Sequence, residues 1–182
     1  MIVKETKLKG CFILEPKVFE DSRGYFLESY NQKIFNQLTS NNVKFVQDNE
    51  SYSSRGVLRG GLHFQKGEHS QAKLVRVIKG EVLDVAVDIR PESQTYGDHV
   101  SIELSGENKK QFFVPRGFAH GFVVLSDIAL FSYKCDNFYN KASEGGILYS
   151  DKILNIDWVL PHKELIISEK DNILPELKEL KI

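Results

Sequence analysis

Charge of either sign is not in excess in this chain: 24 lysines and arginines stand against 25 aspartates and glutamates, a formal net charge of -1. That balance removes any general electrostatic pull toward nucleic acid or an anionic membrane, so an anionic ligand has to be held by a local cluster of cations. Cysteine is scarce. Cys11 and Cys135 stand alone, form no C-x-x-C motif and suggest no disulfide staple, and a reducing cytoplasm is the simplest expectation. No stretch reads as a signal peptide or a membrane span. There is no G-x-G-x-x-G or Walker sequence, no internal repeat and no low-complexity linker. With 182 residues, 41% hydrophobic and 27% charged, the chain is expected to form one globular domain over residues 1-182 with a sizeable core.

Long helical patterns are also lacking. Only "NQKIFNQLTS" (31-40) and the tail "NILPELKELKI" (172-182) read as helical, and both are brief. Elsewhere apolar runs are short and punctuation is dense, which favours strands. In "KLVRVIKGEVLDVAVDIR" (73-90), Lys79-Gly80 reads as a tight hairpin turn. Its second run places Leu83, Val85, Val87 and Ile89 on one face and Val82, Asp84, Ala86 and Asp88 on the other. If residues 78 and 81 flank the turn, Val75 opposes Asp84, and Lys73 and Asp84 become diagonal neighbours on one face. Further strands are expected at 99-104, 111-115, 120-126 and 128-135. Short strands without intervening helices predict an all-β antiparallel sandwich or barrel.

What is present in abundance is polarity in an unexpected place. "GVLRGGLHFQKGEHSQAKLV" (56-75) carries Arg59, His63, Gln65, Gln71 and Lys73 among strand-forming residues. Burying such groups without partners costs several kcal/mol, so this face is either wet or a site. A metal is one organised possibility, because short-strand barrels of the cupin type hold metals through paired histidines, a carboxylate and a later histidine. Here Gln65 stands where a second histidine is expected after His63, and Lys73 is a cation. His63 and His120 alone fall short of the three or four ligands a metal generally requires.

The segments "FEDSRGYFLESY" (19-30), "FVQDNESYSSRGVLRGGLHFQ" (45-65), "QAKLVRVIKGEVLDVAVDIRPESQTYG" (71-97), "PRGFAHGFVVLSD" (115-127), "YKCDNFY" (133-139) and "ISEKD" (167-171) occur in that order. Together they resemble the dTDP-4-dehydrorhamnose 3,5-epimerase family over residues 1 to about 175. The resemblance implies a cupin-like jelly-roll barrel, usually a homodimer, with no metal and no organic cofactor. It implies conversion of dTDP-4-keto-6-deoxyglucose to dTDP-4-keto-rhamnose, on the way to dTDP-L-rhamnose. Relatives on the same scaffold that epimerise only one carbon or isomerise the keto group stay open as alternatives, as does a silent cupin that only binds a nucleotide sugar.

C3 and C5 of that sugar both flank the C4 ketone, so their hydrogens are weakly acidic, and inversion means removing a proton from one face and returning one to the other. By resemblance His63 is the base, Asp171 orients its ring, Lys73 stabilises the enolate oxygen and Tyr133 is the acid on the opposite face. Asp84 is expected to hold the Lys73 ammonium. Arg23 and Arg59 match the family's phosphate-contacting arginines, whose fork suits a diphosphate. Glu28, Gln47, Asp48 and Asn49 fall in its nucleotide- and sugar-contacting stretch. His120, Glu144 and Lys170 match substrate-contacting positions, and Phe26 and Tyr139 are candidates to lie flat against thymine and sugar.

The family usually spells Leu-Arg-Gly-Leu-His with one glycine, whereas this chain reads Leu58-Arg59-Gly60-Gly61-Leu62-His63. One extra residue in a regular strand turns every later side chain to the other face. A bulge at Gly60-Gly61, with at least one φ above zero, is therefore predicted to keep His63 facing the interior.

Overall fold

The period-2 apolar runs become thirteen strands in the computed structural model, which describes residues 1-180. They are β1 (Ile2–Glu5), β2 (Phe12–Glu15), β3 (Val18–Asp21), β4 (Gly24–Leu27), β5 (Gln47–Ser54), β6 (Leu58–Gln65), β7 (Lys73–Lys79), β8 (Glu81–Asp88), β9 (His99–Ser105), β10 (Gln111–Val114), β11 (Phe118–Val124), β12 (Ile128–Cys135) and β13 (Glu144–Gly146). Six strands in the order β1-β2-β10-β7-β12-β5 form one sheet, and β13-β6-β11-β8-β9 form the other. β3 and β4 make a separate two-stranded arm. Every ladder is antiparallel, and the two large sheets face each other as a cupin-like jelly roll.

The hairpin expected at residues 73-90 is not formed. β7 pairs with β10 and β12, whereas β8 pairs with β11 and β9, so the chain crosses from one sheet to the other at Gly80. Val75 opposes Phe112 and Tyr133 rather than Asp84. A glycine is required at this corner: its φ is 83°, and a Cβ would lie 2.0 Å from the Ile128 carbonyl oxygen. The face assignment within β8 is observed. Val82 and Ala86 point into the barrel beside Val75, Leu104, Phe112 and Phe131, while Leu83, Val85, Val87 and Ile89 pack under Tyr149, Leu154, Trp158 and Leu177 of the C-terminal segment. Both faces of β8 are thus covered, which anchors one wall of the site; each buried large apolar side chain contributes about 1.5–3 kcal/mol.

One α-helix forms among the described residues, α1 (Gln32–Thr39), within the expected 31-40 segment. The Asn31 side chain caps it by accepting from the Ile34 amide, and Phe35 packs on Leu14, Leu74 and Phe113. The tail expected to be helical instead makes two short 3-10 turns, Asp171–Ile173 and Leu177–Glu179. Pro175 lies between them, and a residue before proline is pushed out of the helical region, as at Leu174 with ψ 150°. The last two residues of that expectation, 181-182, lie outside the described residues.

Candidate active site

β6 carries the irregularity its doubled glycine demands. Arg59 pairs with Phe122 and His63 with His120, so Gly60, Gly61 and Leu62 together face the single residue Gly121. Gly60 and Gly61 have φ of 87° and 29°, and Leu62 joins them at 86°. Positive φ at a bulky residue is strained by about 1–3 kcal/mol and persists only where its surroundings enforce it; Leu62 is fully buried and its carbonyl accepts from the Ile147 amide. The bulge takes up two extra residues of β6 against β11, so that Arg59 and His63 both stay on the interior face.

A cavity of about 670 Å³ opens between the two sheets at one end of the barrel, a size suited to a small ligand. The five-stranded sheet contributes Arg59, His63 and His120, and the six-stranded sheet contributes Asn49, Lys73 and Tyr133. Phe122 and Phe131 stack at its apolar end with ring centroids 4.0 Å apart. These rings carry the same alternation as His120 and Tyr133, two residues away on β11 and β12, and that period was the signal for them. A second cavity of about 370 Å³ shares Asn49, His63, Lys73 and Tyr133, and adds Gln47, Gln65, Gln71, Tyr139 and Glu144.

His63 is held from both sides. Its Nε2 lies 2.6 Å from Asp171 Oδ1 and its Nδ1 lies 3.5 Å from Glu144 Oε1. Burial works to raise the Asp171 carboxyl, but the hydrogen bond and charge of His63, with help from Ser168 and Lys170, hold it below the usual carboxylate range. With Nε2–H donated to this anion, Nδ1 is the nitrogen left to take a proton. Ser168 went unnoticed in the sequence; its hydroxyl accepts from the Asp171 amide.

Burial pushes the Lys73 ammonium below its ordinary value, against support from Cys135, Asp84 and Glu144. It pushes the Tyr133 phenol up, assisted by Cys135 and opposed by Arg59. Asp84 does not grip Lys73 as expected. Its Oδ1 lies 2.8 Å from His120 Nε2, while its buried Oδ2 has no hydrogen-bond partner. The reason is the sheet crossing at Gly80, which puts Asp84 beside β11 and leaves Lys73 in the opposite sheet.

Arg59 reaches the cavity with its Nε donating to Ser53 Oγ at 2.7 Å. Gln47 and Asn49 point inward and bond each other at 3.0 Å. Asp48, expected beside them, faces outward and pairs with Lys134, because alternate residues of β5 take opposite faces. Glu144 accepts from Tyr139 Oη at 3.0 Å and from Lys170 Nζ at 2.5 Å. Arg23 and Phe26 are not brought into either cavity. They sit on the β3–β4 arm, around a separate shallow pocket, with Arg23 on Asp21 and Phe26 69% exposed. Glu28 is likewise exposed and accepts from Asn31. Among the described residues no three His, Cys, Asp or Glu side chains converge as a metal would need.

Fold and site together define a cupin-like barrel whose cavity gathers acid–base side chains, with a carboxylate-held histidine on one wall and a phenol and an ammonium on the other. The family model for dTDP-4-dehydrorhamnose 3,5-epimerase matches residues 5–179, and the chain belongs to that family, whose members are isomerases. It is 54% identical to the dTDP-4-dehydrorhamnose 3,5-epimerase of Salmonella typhimurium over 180 residues, covering 98% of this chain and 97% of that one. The crystal structure of the Elizabethkingia anophelis enzyme of the same name superposes with a TM-score of 0.94 at 60% identity, covering 98% and 97% of the two chains. The dTDP-6-deoxy-D-glucose-3,5-epimerase of Legionella pneumophila, solved in complex with dTDP-4-keto-L-rhamnose, superposes with a TM-score of 0.95 at 47% identity, covering 99% and 94%.

Proposed function

We propose that this chain inverts C3 and C5 of dTDP-4-keto-6-deoxy-D-glucose to yield dTDP-4-keto-L-rhamnose, in dTDP-L-rhamnose biosynthesis, with His63 as base and Tyr133 as acid. The observation that carries this reading is the placement of the two groups on opposite sheets around one cavity. His63 Nδ1 takes the proton beside the ketone. Lys73 meets the enolate oxygen with its ammonium, a form of charge stabilisation worth about 2.7–4 kcal/mol when a comparable donor is removed. Tyr133, kept protonated by burial, returns a proton from the other side. No metal or organic cofactor is needed, since Lys73 supplies the positive charge a Lewis acid would otherwise provide.

Arg59 and His120 are the polar groups of the same wall that meet the nucleotide sugar. Arg23, Phe26 and Glu28 stand on an exposed arm outside this chain's cavities, which favours a homodimer in which the arm serves the neighbouring copy's diphosphate and thymine. The two cysteines are free and buried, which suits a cytoplasmic enzyme.

The test is incubation with dTDP-4-keto-6-deoxyglucose in D₂O, followed by NMR. Wild type is expected to place deuterium at both C3 and C5 of inverted product. Tyr133→Phe is expected to retain exchange and lose inversion, because the enolate still forms but is reprotonated on its original face. Undiminished inversion in Tyr133→Phe would remove the phenol from the acid role.

A further inference from the structure

Two inversions in one turnover put a demand on His63 that the pairwise geometry of base and acid does not meet. Each abstraction leaves the imidazole carrying a proton, and a single base cannot act at the second carbon until it has lost the first. Asp171 is poorly placed to take that proton out: it is 4% exposed, already holds Nε2 and is backed by Ser168. The proton taken from the sugar sits on Nδ1, and the carboxylate facing Nδ1 is Glu144, 3.5 Å away.

Glu144 is placed between the base and the surface. Its side chain is 17% exposed, and its two further partners, Lys170 and Tyr139, are both exposed. It borders the second cavity, whose lining includes Gln47, Asn49, Gln65 and Gln71 and which is roomy enough for several waters. We propose that Glu144 is a relay carboxylate, carrying the proton from His63 to solvent between the two inversions. The step balances as follows: imidazolium Nδ1–H and the Glu144 carboxylate become neutral imidazole and the carboxylic acid, and the acid then gives its proton to water and regenerates the carboxylate. Burial works to raise the Glu144 carboxyl, but Lys170, Tyr139 and His63 together hold it below its ordinary value. The carboxylate is therefore the favoured form, to which Glu144 returns when its proton passes to water. Glu144 acts through His63 and is in that sense a positioning residue for the proton, not a group that attacks the sugar.

The inference rests on His63 being the base, and the experiment separates the two. Deuterium entry at the two carbons is followed in time for wild type, Glu144→Gln, Glu144→Asp and His63→Asn. In Glu144→Gln the ratio of the second exchange rate to the first is expected to fall about tenfold or more, and added formate, a small diffusible carboxylate, is expected to restore it. Glu144→Asp, which keeps the carboxylate, is expected to hold the ratio closer to wild type. Equal slowing of both exchanges in Glu144→Gln without response to formate, or identical ratios for Asp and Gln, would overturn the relay and leave Glu144 as a tether for Tyr139 and Lys170. Exchange persisting in His63→Asn would instead bring down the base assignment itself, whatever the Glu144 variants do.

Discussion

His63–Asp171 and His120–Asp84 stand side by side, since His63 and His120 are cross-strand partners on β6 and β11, and each imidazole meets a buried carboxylate through Nε2 at 2.6 and 2.8 Å. Beyond that contact they differ. Asp171 comes from 108 residues away on a short turn, and the far nitrogen of His63 faces a second carboxylate with access to the surface. Asp84 comes from the neighbouring strand, both members of its pair are buried, and one of its oxygens is unpaired. The same two residue types thus make, on the reading proposed above, a base that can be loaded and emptied in one case, and a fixed polar pair in the other. A histidine–carboxylate contact does not by itself define a role; what lies at the second nitrogen does.

The largest expected effect comes from removing each imidazole in turn. His63→Asn should lower kcat by about 10⁴-fold and abolish deuterium entry at both carbons. His120→Asn should cost about tenfold, expressed chiefly in KM, as expected for the loss of one substrate hydrogen bond. Steady-state kinetics of the two variants checks this, and equal kcat losses would erase the distinction between the pairs.

A smaller effect should follow from a residue that touches only one pair. A Cβ on Gly61 would lie 2.9 Å from Asp171 Cγ, at a φ of 29° that side chains rarely adopt. Gly61→Ala should therefore push Asp171 off His63 and lower kcat by about tenfold, with a stability loss of about 1–3 kcal/mol from the strained backbone. Denaturant titration and kinetics measure both terms. Unchanged kcat would mean that Asp171 contributes little to the action of His63.

The smallest effect is a shift in pH profile. Burial lowers the Lys73 ammonium below 10.5, so as pH rises it loses its charge earlier than an ordinary lysine, whereas Tyr133 keeps its proton beyond 10.0. The two shifts run in opposite directions, so loss of the Lys73 charge is expected to contribute to the alkaline limb of kcat. Asp84 is among the charges supporting this ammonium, so Asp84→Asn should move the limb to lower pH, by about one unit at most. Asp171→Asn, although slower overall, should leave it in place. A limb that moves equally in both variants would show that Lys73 does not distinguish the two carboxylates.

Much of the architecture was legible because it is written in local alternation. The two faces of residues 82-89, the strand at 128-135, the helix after Asn31 and the bulge at Gly60-Gly61 all follow from period, capping and backbone sterics within a few residues. The ordered motifs pointed to the residues that the structure gathers at one cavity, namely Arg59, His63, Lys73, His120, Tyr133 and Asp171. Asp48 does not join Gln47 and Asn49 at this chain's cavities, because three consecutive residues of a strand cannot all face one side.

The amino-acid sequence by itself determined which side chains share a strand face, where the chain must turn, and which residue types are available for proton transfer, since these depend on neighbours along the backbone. Only the tertiary structure decided that Gly80 carries the chain between sheets, that Asp84 goes to His120, and that Asp171 and Glu144 close on His63 from separate segments. Strand pairing and the approach of residues 108 apart are set by which apolar faces can be buried together, and no local period carries that information.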